Sequence, residues 1–259
     1  MIAGFVVRGD ETRPVLLRAV GPTLARYGVT GLLEDPVLEL FNGEGEMVLS
    51  NQRWGSEGDA LGITAASKTA GAFSLEVGSA DAAILTTLPP GLYTAVVSGR
   101  EGAEGNALVE VYDLGGLPKG GLALSNISTR ARVGATASDP MIAGLVVGGH
   151  GPRKVLVCAV GPTLGSFGLP DALVAPMVEI VAADGGSLDL EGDWSRVGAD
   201  AAIRRKAAVT AGAFALQERS LEVSWIAELD PGSWTVLVRG LGGDEGVALI
   251  EIYDITPSL

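Results

Sequence analysis

The sequence AVGPTL occupies residues 19–24 and returns unchanged at residues 159–164. The offset between matching positions is 140 residues up to the first tryptophan of each copy and 141 residues beyond it, so the copies differ there by one inserted residue. Self-similarity of this length indicates one domain present twice. The sequence therefore predicts a first domain over 1–116 and a second over 117–259, which begins with a linker strand. Further matches join MIAG at 1–4 to 141–144, AGAF at 70–73 to 211–214, and Trp54 to Trp194.

Each copy consists mainly of short apolar or alternating runs bounded by Gly, Pro, Asn and Asp, a pattern typical of strands joined by turns. LPPG at 88–91 and LDPG at 229–232 indicate hairpins. A helical turn is expected at 22–28, and the Ala-rich stretches 57–70 and 199–210 read as helical or irregular. About seven short strands in ~115 residues predict an all-β fold: two tandem antiparallel β-sandwiches of jelly-roll or Ig-like type. Strands are predicted near 2–8, 14–20, 36–42, 46–51, 82–88, 91–98 and 106–113, and near 142–148, 154–160, 176–182, 186–190, 221–229, 233–239 and 247–254.

The composition excludes several classes of protein. The net charge of −13 opposes binding to nucleic acid, because phosphates require Lys and Arg. One cysteine excludes an internal disulfide and a cysteine-based zinc site, and one histidine removes most histidine-dependent catalytic arrangements. No run of eighteen apolar residues occurs, so we expect no membrane span.

The segment between the copies differs from both of them in charge. Residues 1–116 carry 7 basic and 15 acidic side chains and residues 141–259 carry 8 and 15, whereas residues 117–140 carry 3 and 1. Within this segment LALSNISTRARV, at 122–133, predicts a strand whose apolar residues change face midway, which suggests a bulge or a move between sheets. Because exposed sheet edges accept strands from other chains, this strand is the predicted interaction element. Its candidate residues are Leu124, Ile127, Arg130, Arg132 and Val133.

Three runs carry a family resemblance: LSNISTRARVG at 124–134, MIAGLVV at 141–147 and VLVCAVGPTL at 155–164. Together they resemble a tandem repeat of large exported bacterial surface proteins. LPPGLYTAVVSG at 88–99 is similar to the turn of pre-peptidase C-terminal-type β-sandwich domains. The resemblance covers nearly the whole chain and implies an extracellular or cell-surface module, with no catalytic residues to carry over. It also implies that each repeat begins with the LSNISTR strand, so the first copy would lack its opening strand.

Few side chains are candidates for catalysis. His150 lies in a Gly-rich turn, and Cys158 replaces Arg18 within a strand, where an inert thiol is expected. The repeated carboxylates could form a glycosidase pair, but their mid-strand positions predict ordinary outward-facing charges. We therefore expect no catalytic site. The repeated carboxylates are Glu39 with Glu179 and Glu110 with Glu251.

Two further groups of side chains are candidates for ligand binding. The acidic stretch of the second copy could bind calcium through loop oxygens, although a solvated acidic loop is the default because no EF-hand spacing is present. The tryptophans could bind sugar, but their positions predict structural plugs and core faces. The calcium candidates are Asp184, Asp189, Glu191 and Asp193, and the tryptophans are Trp54, Trp194, Trp225 and Trp234.

The sequence thus favours a non-catalytic structural, adhesion or assembly module of a larger exported bacterial protein. Its expected partners are copies of itself or neighbouring repeats, which it would bind by strand complementation. The alternative is a carbohydrate-binding accessory module of a secreted enzyme, with a glycan as partner.

Overall fold

The computed structural model describes residues 1–56, 59–115, 124–136, 139–147, 151–191 and 199–256. The chain divides into two compact units, Met1–Ser125 (unit 1) and Asn126–Leu259 (unit 2). The described residues are mostly β, and the paired strands are antiparallel, as the sequence predicts. No helix among the described ranges is long and apolar enough to cross a membrane.

In unit 1 the described residues up to 115 form seven strands, whose ends agree with the predicted runs to within two residues. The Ala-rich stretch forms a helix that begins at Ala60 rather than at residue 57. Pro22–Tyr27 forms the expected helical turn, of the 3-10 type. The elements are β1 (Ile2–Val7), β2 (Arg13–Val20), β3 (Pro36–Asn42), β4 (Met47–Gln52), α1 (Ala60–Ala70), β5 (Ala82–Leu88), β6 (Gly91–Gly99) and β7 (Leu108–Asp113).

The core of unit 1 lies between two sets of paired strands. Strands pair in the order β1-β6-β3-β4 in one set and β5-β2-β7 in the other. Inward-facing residues of both sets form one apolar cluster, to which Phe5, Leu17 and Leu38 contribute fully buried side chains. Because alternate residues of a strand point to opposite faces, each set presents one apolar face to the other.

Helix α1 covers the other face of the three-stranded set. It lies against β2 and β5, and its Ile63 and Ala66 pack with Leu16 and Ala83. Asp59 caps the start of the helix: its side chain accepts a hydrogen bond from the Gly62 N–H (2.9 Å). This third layer explains why β2 is buried on both faces from residue 15 to residue 20.

Unit 2 repeats the order of elements and the pairing of unit 1, with one strand more. Its strands pair in the orders β12-β11-β14-β9 and β13-β10-β15-β8, and α2 covers β10 and β13. The additional strand, β8, is the linker strand of the sequence analysis. The elements are β8 (Leu124–Val133), β9 (Met141–Val147), β10 (Arg153–Val160), β11 (Pro176–Ala182), β12 (Ser187–Glu191), α2 (Ala199–Ala211), β13 (Val223–Leu229), β14 (Gly232–Gly240) and β15 (Gly246–Asp254).

The repeated AVGPTL motif owes its composition to packing. A Cβ at Gly21 would lie 2.0 Å from the Leu33 carbonyl oxygen, so only glycine fits. Buried Asp81 accepts hydrogen bonds from the Gly21 N–H (2.8 Å) and from the Thr23 hydroxyl. The Thr23 hydroxyl in turn accepts from the Glu76 N–H (2.9 Å), so three chain segments are tied together.

Unit 2 keeps the same arrangement around Gly161 and Thr163. Buried Glu222 replaces the aspartate and accepts from the Thr163 N–H (2.7 Å) and hydroxyl (2.8 Å). The motif is therefore a structural clamp in both units.

Candidate functional site

The outer side of β7, which we call the β7 edge, distinguishes unit 1 from unit 2. Strand β15, the counterpart of β7, lies between β10 and β8. Among the described residues β7 is hydrogen-bonded only to β2 and ends its set of strands. A strand edge of this kind presents unpaired backbone groups to other chains.

Side-chain burial shows the effect of the missing neighbour. In unit 2, Ala248, Ile250 and Ile252 point into the core and are 0%, 1% and 5% exposed. Their counterparts in unit 1 pack against the core cluster but are only half-buried. Equivalent apolar positions are thus less buried in unit 1, where the described strands give β7 only one neighbour. These counterparts are Ala107, Val109 and Val111.

One hydrogen bond identifies which backbone groups of β7 face outward. The Leu114 N–H donates to the Pro14 carbonyl (2.9 Å), so the backbone at 114 points toward the β2 side. Because pairing direction alternates along an antiparallel strand, the N–H and C=O groups of Val109 and Val111 point to the open side. Backbone groups alternate in the same way in unit 2, since the Ile255 N–H donates to the Lys154 carbonyl (2.9 Å).

Strand β8 contains the interaction residues predicted from sequence. It pairs with β15 in continuous register from Asn126 to Val133, so no bulge interrupts that segment. Val133 is fully buried in the unit 2 core and Ile127 is half-buried. Arg130 is half-buried, and Leu124 lies in the strand, with its side chain outside the described set.

Arg132 gives β8 its ionic contacts. Its guanidinium forms ion pairs with Asp171 (3.1 Å) and Glu245 (3.4 Å), all three side chains being exposed. By the repeat offsets, Glu104 of unit 1 corresponds to Glu245, whereas Gly31 occupies the place of Asp171. Unit 1 therefore keeps one of the two acidic groups beside the equivalent edge.

The prediction of outward-facing charge at Glu110 and Glu251 is wrong. Both carboxylates face the helix layer, and burial raises the pKa of each. In unit 1 the fully buried Arg18 guanidinium lies 2.9 Å from Glu110 and donates to the Phe73 carbonyl (2.7 Å). The prediction that Glu110 and Glu251 lie on the face opposite the core is correct, but that face is covered by protein rather than by water.

Unit 2 has lost the cation of this cluster. Cys158 occupies the position of Arg18, and burial raises its pKa to about 12, so the thiol stays protonated at neutral pH. Glu251 accepts hydrogen bonds from the Tyr253 hydroxyl (2.8 Å) and the Phe214 N–H (3.1 Å). The carboxylate is thus held by two neutral donors.

The carboxylates do not form glycosidase pairs within a unit. Glu39 in β3 and Glu110 in β7 belong to different sets of strands, and each points away from the core between them. Glu179 in unit 2 forms an ion pair with Arg239 (2.6 Å). Glycoside hydrolysis requires two carboxyl groups about 5–10 Å apart on one substrate, which this placement does not provide.

The tryptophans divide into buried and exposed positions. Trp54 is buried and its indole N–H lies 3.3 Å from both the Glu76 carbonyl and the Ser79 hydroxyl, which fits a structural plug. Trp234 packs against the unit 2 core. The prediction of a core position for Trp225 is wrong: it is 43% exposed, because β13 ends its set of strands and leaves the side chain open. Trp194 lies outside the described residues.

The proposed ligand groups are only partly described. Asp184 is exposed and accepts a hydrogen bond from the Gly186 N–H (3.1 Å). Asp189 and Glu191 lie on β12, with side chains outside the described set, and Asp193 and His150 lie outside it altogether. Within the described ranges no cluster of His, Cys, Asp or Glu suited to a metal is found.

Comparison with known proteins gives only distant similarities. No protein-family model matches the chain, and no curated protein matches it. The atomic structure of Sulfolobus Turreted Icosahedral Virus aligns with 97% of this chain and 87% of that chain, at 13% identity and a TM-score of 0.24. The crystal structure of the STIV MCP aligns with 97% of this chain and 93% of that chain, at 12% identity and a TM-score of 0.24.

Proposed function

We propose that the protein is a non-catalytic structural module that joins repeats through strand pairing, within a larger exported bacterial surface protein. The observation that carries this proposal is the β7 edge, unpaired among the described residues although its counterpart β15 holds β8. The two units are proposed copies of one sandwich-like domain, since they share element order, pairing and the Gly-Pro-Thr clamp.

Strand addition suits this edge on physical grounds. Val109 and Val111 offer backbone hydrogen-bonding groups on the open side, and their apolar side chains gain burial when a neighbour is added. Main-chain pairing then supplies affinity, while the alternate side chains supply specificity. The extracellular location rests on the sequence resemblance.

The test is to place a second copy of residues 122–140 ahead of Met1. We expect this segment to pair with β7 as β8 pairs with β15. Amide hydrogen exchange at Val109 and Val111 should then slow to the level of Ile250 and Ile252. The unextended chain should associate with itself at high concentration in light-scattering measurements, and the extended chain less so.

One outcome would contradict the proposal. Unchanged exchange at Val109 and Val111 in the extended chain would show that β7 does not accept this strand. A matched control carries the same segment with Thr129→Asp and Ala131→Asp, which place carboxylates on the core face, and it should give no protection.

The alternative of carbohydrate binding rests on one side chain. Trp225 is exposed, with the Arg204 guanidinium 5.6 Å from its ring centroid, and exposed indole faces are suited to sugars. Quenching of tryptophan fluorescence by a glycan, abolished by Trp225→Ala, would favour this function.

A further inference from the structure

We propose that the β7 edge is a sequence-selective acceptor for an unpaired strand of the β8 type, LSNISTRARV, presented by another polypeptide. This inference rests on the proposed function and specifies its partner. Unit 2 shows such a strand on the equivalent edge, so the occupant is identified by a pairing already present in the molecule.

The described strands leave the β7 edge without an occupant. The described chain has two edges of one type, on β7 and β15, and one β8 strand. Exchange of β8 between two copies would fill one edge of each chain and empty another, with no net gain in pairing. An additional strand fills the β7 edge without cost to unit 2.

The register of that strand follows from unit 2. Strand β8 pairs Ile127 with Ile252, Thr129 with Ile250 and Ala131 with Ala248. Transfer by the repeat offset of 141 residues aligns the incoming strand antiparallel along β7. It sets incoming positions 127, 129 and 131 opposite Val111, Val109 and Ala107.

Side-chain chemistry makes this edge selective. Thr129 is buried in unit 2 and Ala131 packs against its core, so these positions admit small, uncharged side chains. The opposite face of the strand carries arginines, and Glu104 stands where Glu245 pairs with Arg132. An incoming strand is therefore small and apolar on one face and basic on the other.

The binding test uses the full chain and a synthetic peptide with the sequence of residues 122–134, labelled for fluorescence anisotropy. We expect saturable binding, and competition by the peptide with self-association of the chain. A peptide with Thr129→Asp and Ala131→Asp should bind at least tenfold more weakly. Val109→Pro in the protein should reduce binding by a similar factor, because it removes an outward N–H without removing a hydrogen bond to β2.

The register test uses a disulfide between protein and peptide. Residues directly opposite each other in a hydrogen-bonded antiparallel pair have Cα atoms about 5.5 Å apart, within the range a disulfide spans. Val111→Cys should therefore cross-link at least tenfold faster to a peptide with Ile127→Cys than to one with Thr129→Cys. Buried Cys158 does not compete, because its thiol stays protonated.

The outcomes separate this inference from the proposed function. If the fused segment protects Val109 and Val111 but the free peptide does not bind, the edge accepts a strand only in cis and the inference is wrong. Equal binding of the aspartate-substituted peptide would overturn its sequence selectivity. Self-association that the peptide cannot displace would identify pairing between two β7 edges instead.

Discussion

Arginine at position 18 and cysteine at the equivalent position 158 give the two units different buried networks. Arg18 places a full positive charge beside Glu110, and its guanidinium lies 4.5 Å from the centroid of the Phe73 ring. In unit 2 the thiol of Cys158 lies 3.6 Å from the Ser224 hydroxyl. Removal of one partner of a buried ion pair is far more costly than never having made the pair, because a desolvated charge is left behind.

Arg18→Met should therefore lower the free energy of unfolding of unit 1 by about 3 kcal/mol. The change leaves the buried Glu110 carboxylate without its cation and the Phe73 carbonyl without its donor. Urea unfolding measures the loss, and adding Glu110→Gln should recover part of it. The control is Arg100→Met, which removes an exposed ion pair with Asp35 (3.7 Å) and should cost ~0–1 kcal/mol. Equal losses from the two arginines would contradict the buried network.

The raised pKa of Glu251 predicts that the free energy of unfolding of unit 2 depends on pH. Burial raises its pKa above the ordinary value of 4.5, and the bonds from Tyr253 and Phe214 oppose that rise only in part. A raised pKa in the folded state means that this group's contribution to stability is present in full below pH 4.5. The contribution is lost as the pH rises through the folded-state pKa.

As the pH rises from 4.5 to neutral, the free energy of unfolding of the Glu251→Gln variant should accordingly increase relative to that of the unmodified chain. The measurement is the difference in free energy of unfolding between the two proteins, followed by urea denaturation across that interval. Glu228→Gln is the control for loss of one negative charge, because Glu228 is an exposed residue of β13. A difference that does not vary with pH would show that Glu251 does not change its ionisation on unfolding.

At the scale of elements, the strands were predictable because turn residues mark their ends, and the hairpins at 88–91 and 229–232 separate strands as expected. Side-chain environment was less predictable. Alternation indicates which residues share a face, but the outer face of the β5-β2-β7 set is covered by α1, so Glu110 became buried. That β7 ends its set among the described strands could be expected only from comparison of the two halves of the sequence, because nothing in the sequence of β7 itself marks it as an edge.

A pair of proline substitutions compares the two equivalent edges. Ile250→Pro removes an N–H on the β8 side of β15, inside a paired and buried sheet, and should destabilise unit 2 by about 3 kcal/mol or more. Val109→Pro removes the equivalent N–H on a side where the described residues pair no strand, and should cost about 1 kcal/mol or less. Thermal and urea unfolding of both variants give the comparison. A loss from Val109→Pro as large as that from Ile250→Pro would mean that the β7 N–H is already bonded.

At the scale of the whole molecule, charge separates two kinds of association. The chain carries −13, whereas the β8 strand adds two arginines and no acidic residue. Repulsion between like-charged copies weakens as salt screens it, and attraction between an acidic unit and a basic strand weakens for the same reason.

Self-association should thus strengthen between about 20 mM and about 500 mM salt, while binding of the 122–134 peptide should weaken. Light scattering measures the first and fluorescence anisotropy the second. The peptide with Arg130→Gln and Arg132→Gln is the control, and its binding should lose most of the salt dependence. Parallel trends for the two processes would show that charge does not distinguish a strand from a second copy.

The pairing of β8 with β15 also has a mechanical consequence. Asn126, near the start of unit 2, lies opposite Tyr253, near its end, in an antiparallel pair. Tension applied through the chain at these two positions pulls the strands apart from one end, so the hydrogen bonds are loaded one after another instead of together. Unit 2 should consequently open at low force in single-molecule pulling, beginning with the release of β8. The strand that completes the sheet is then also the first to be set free under load.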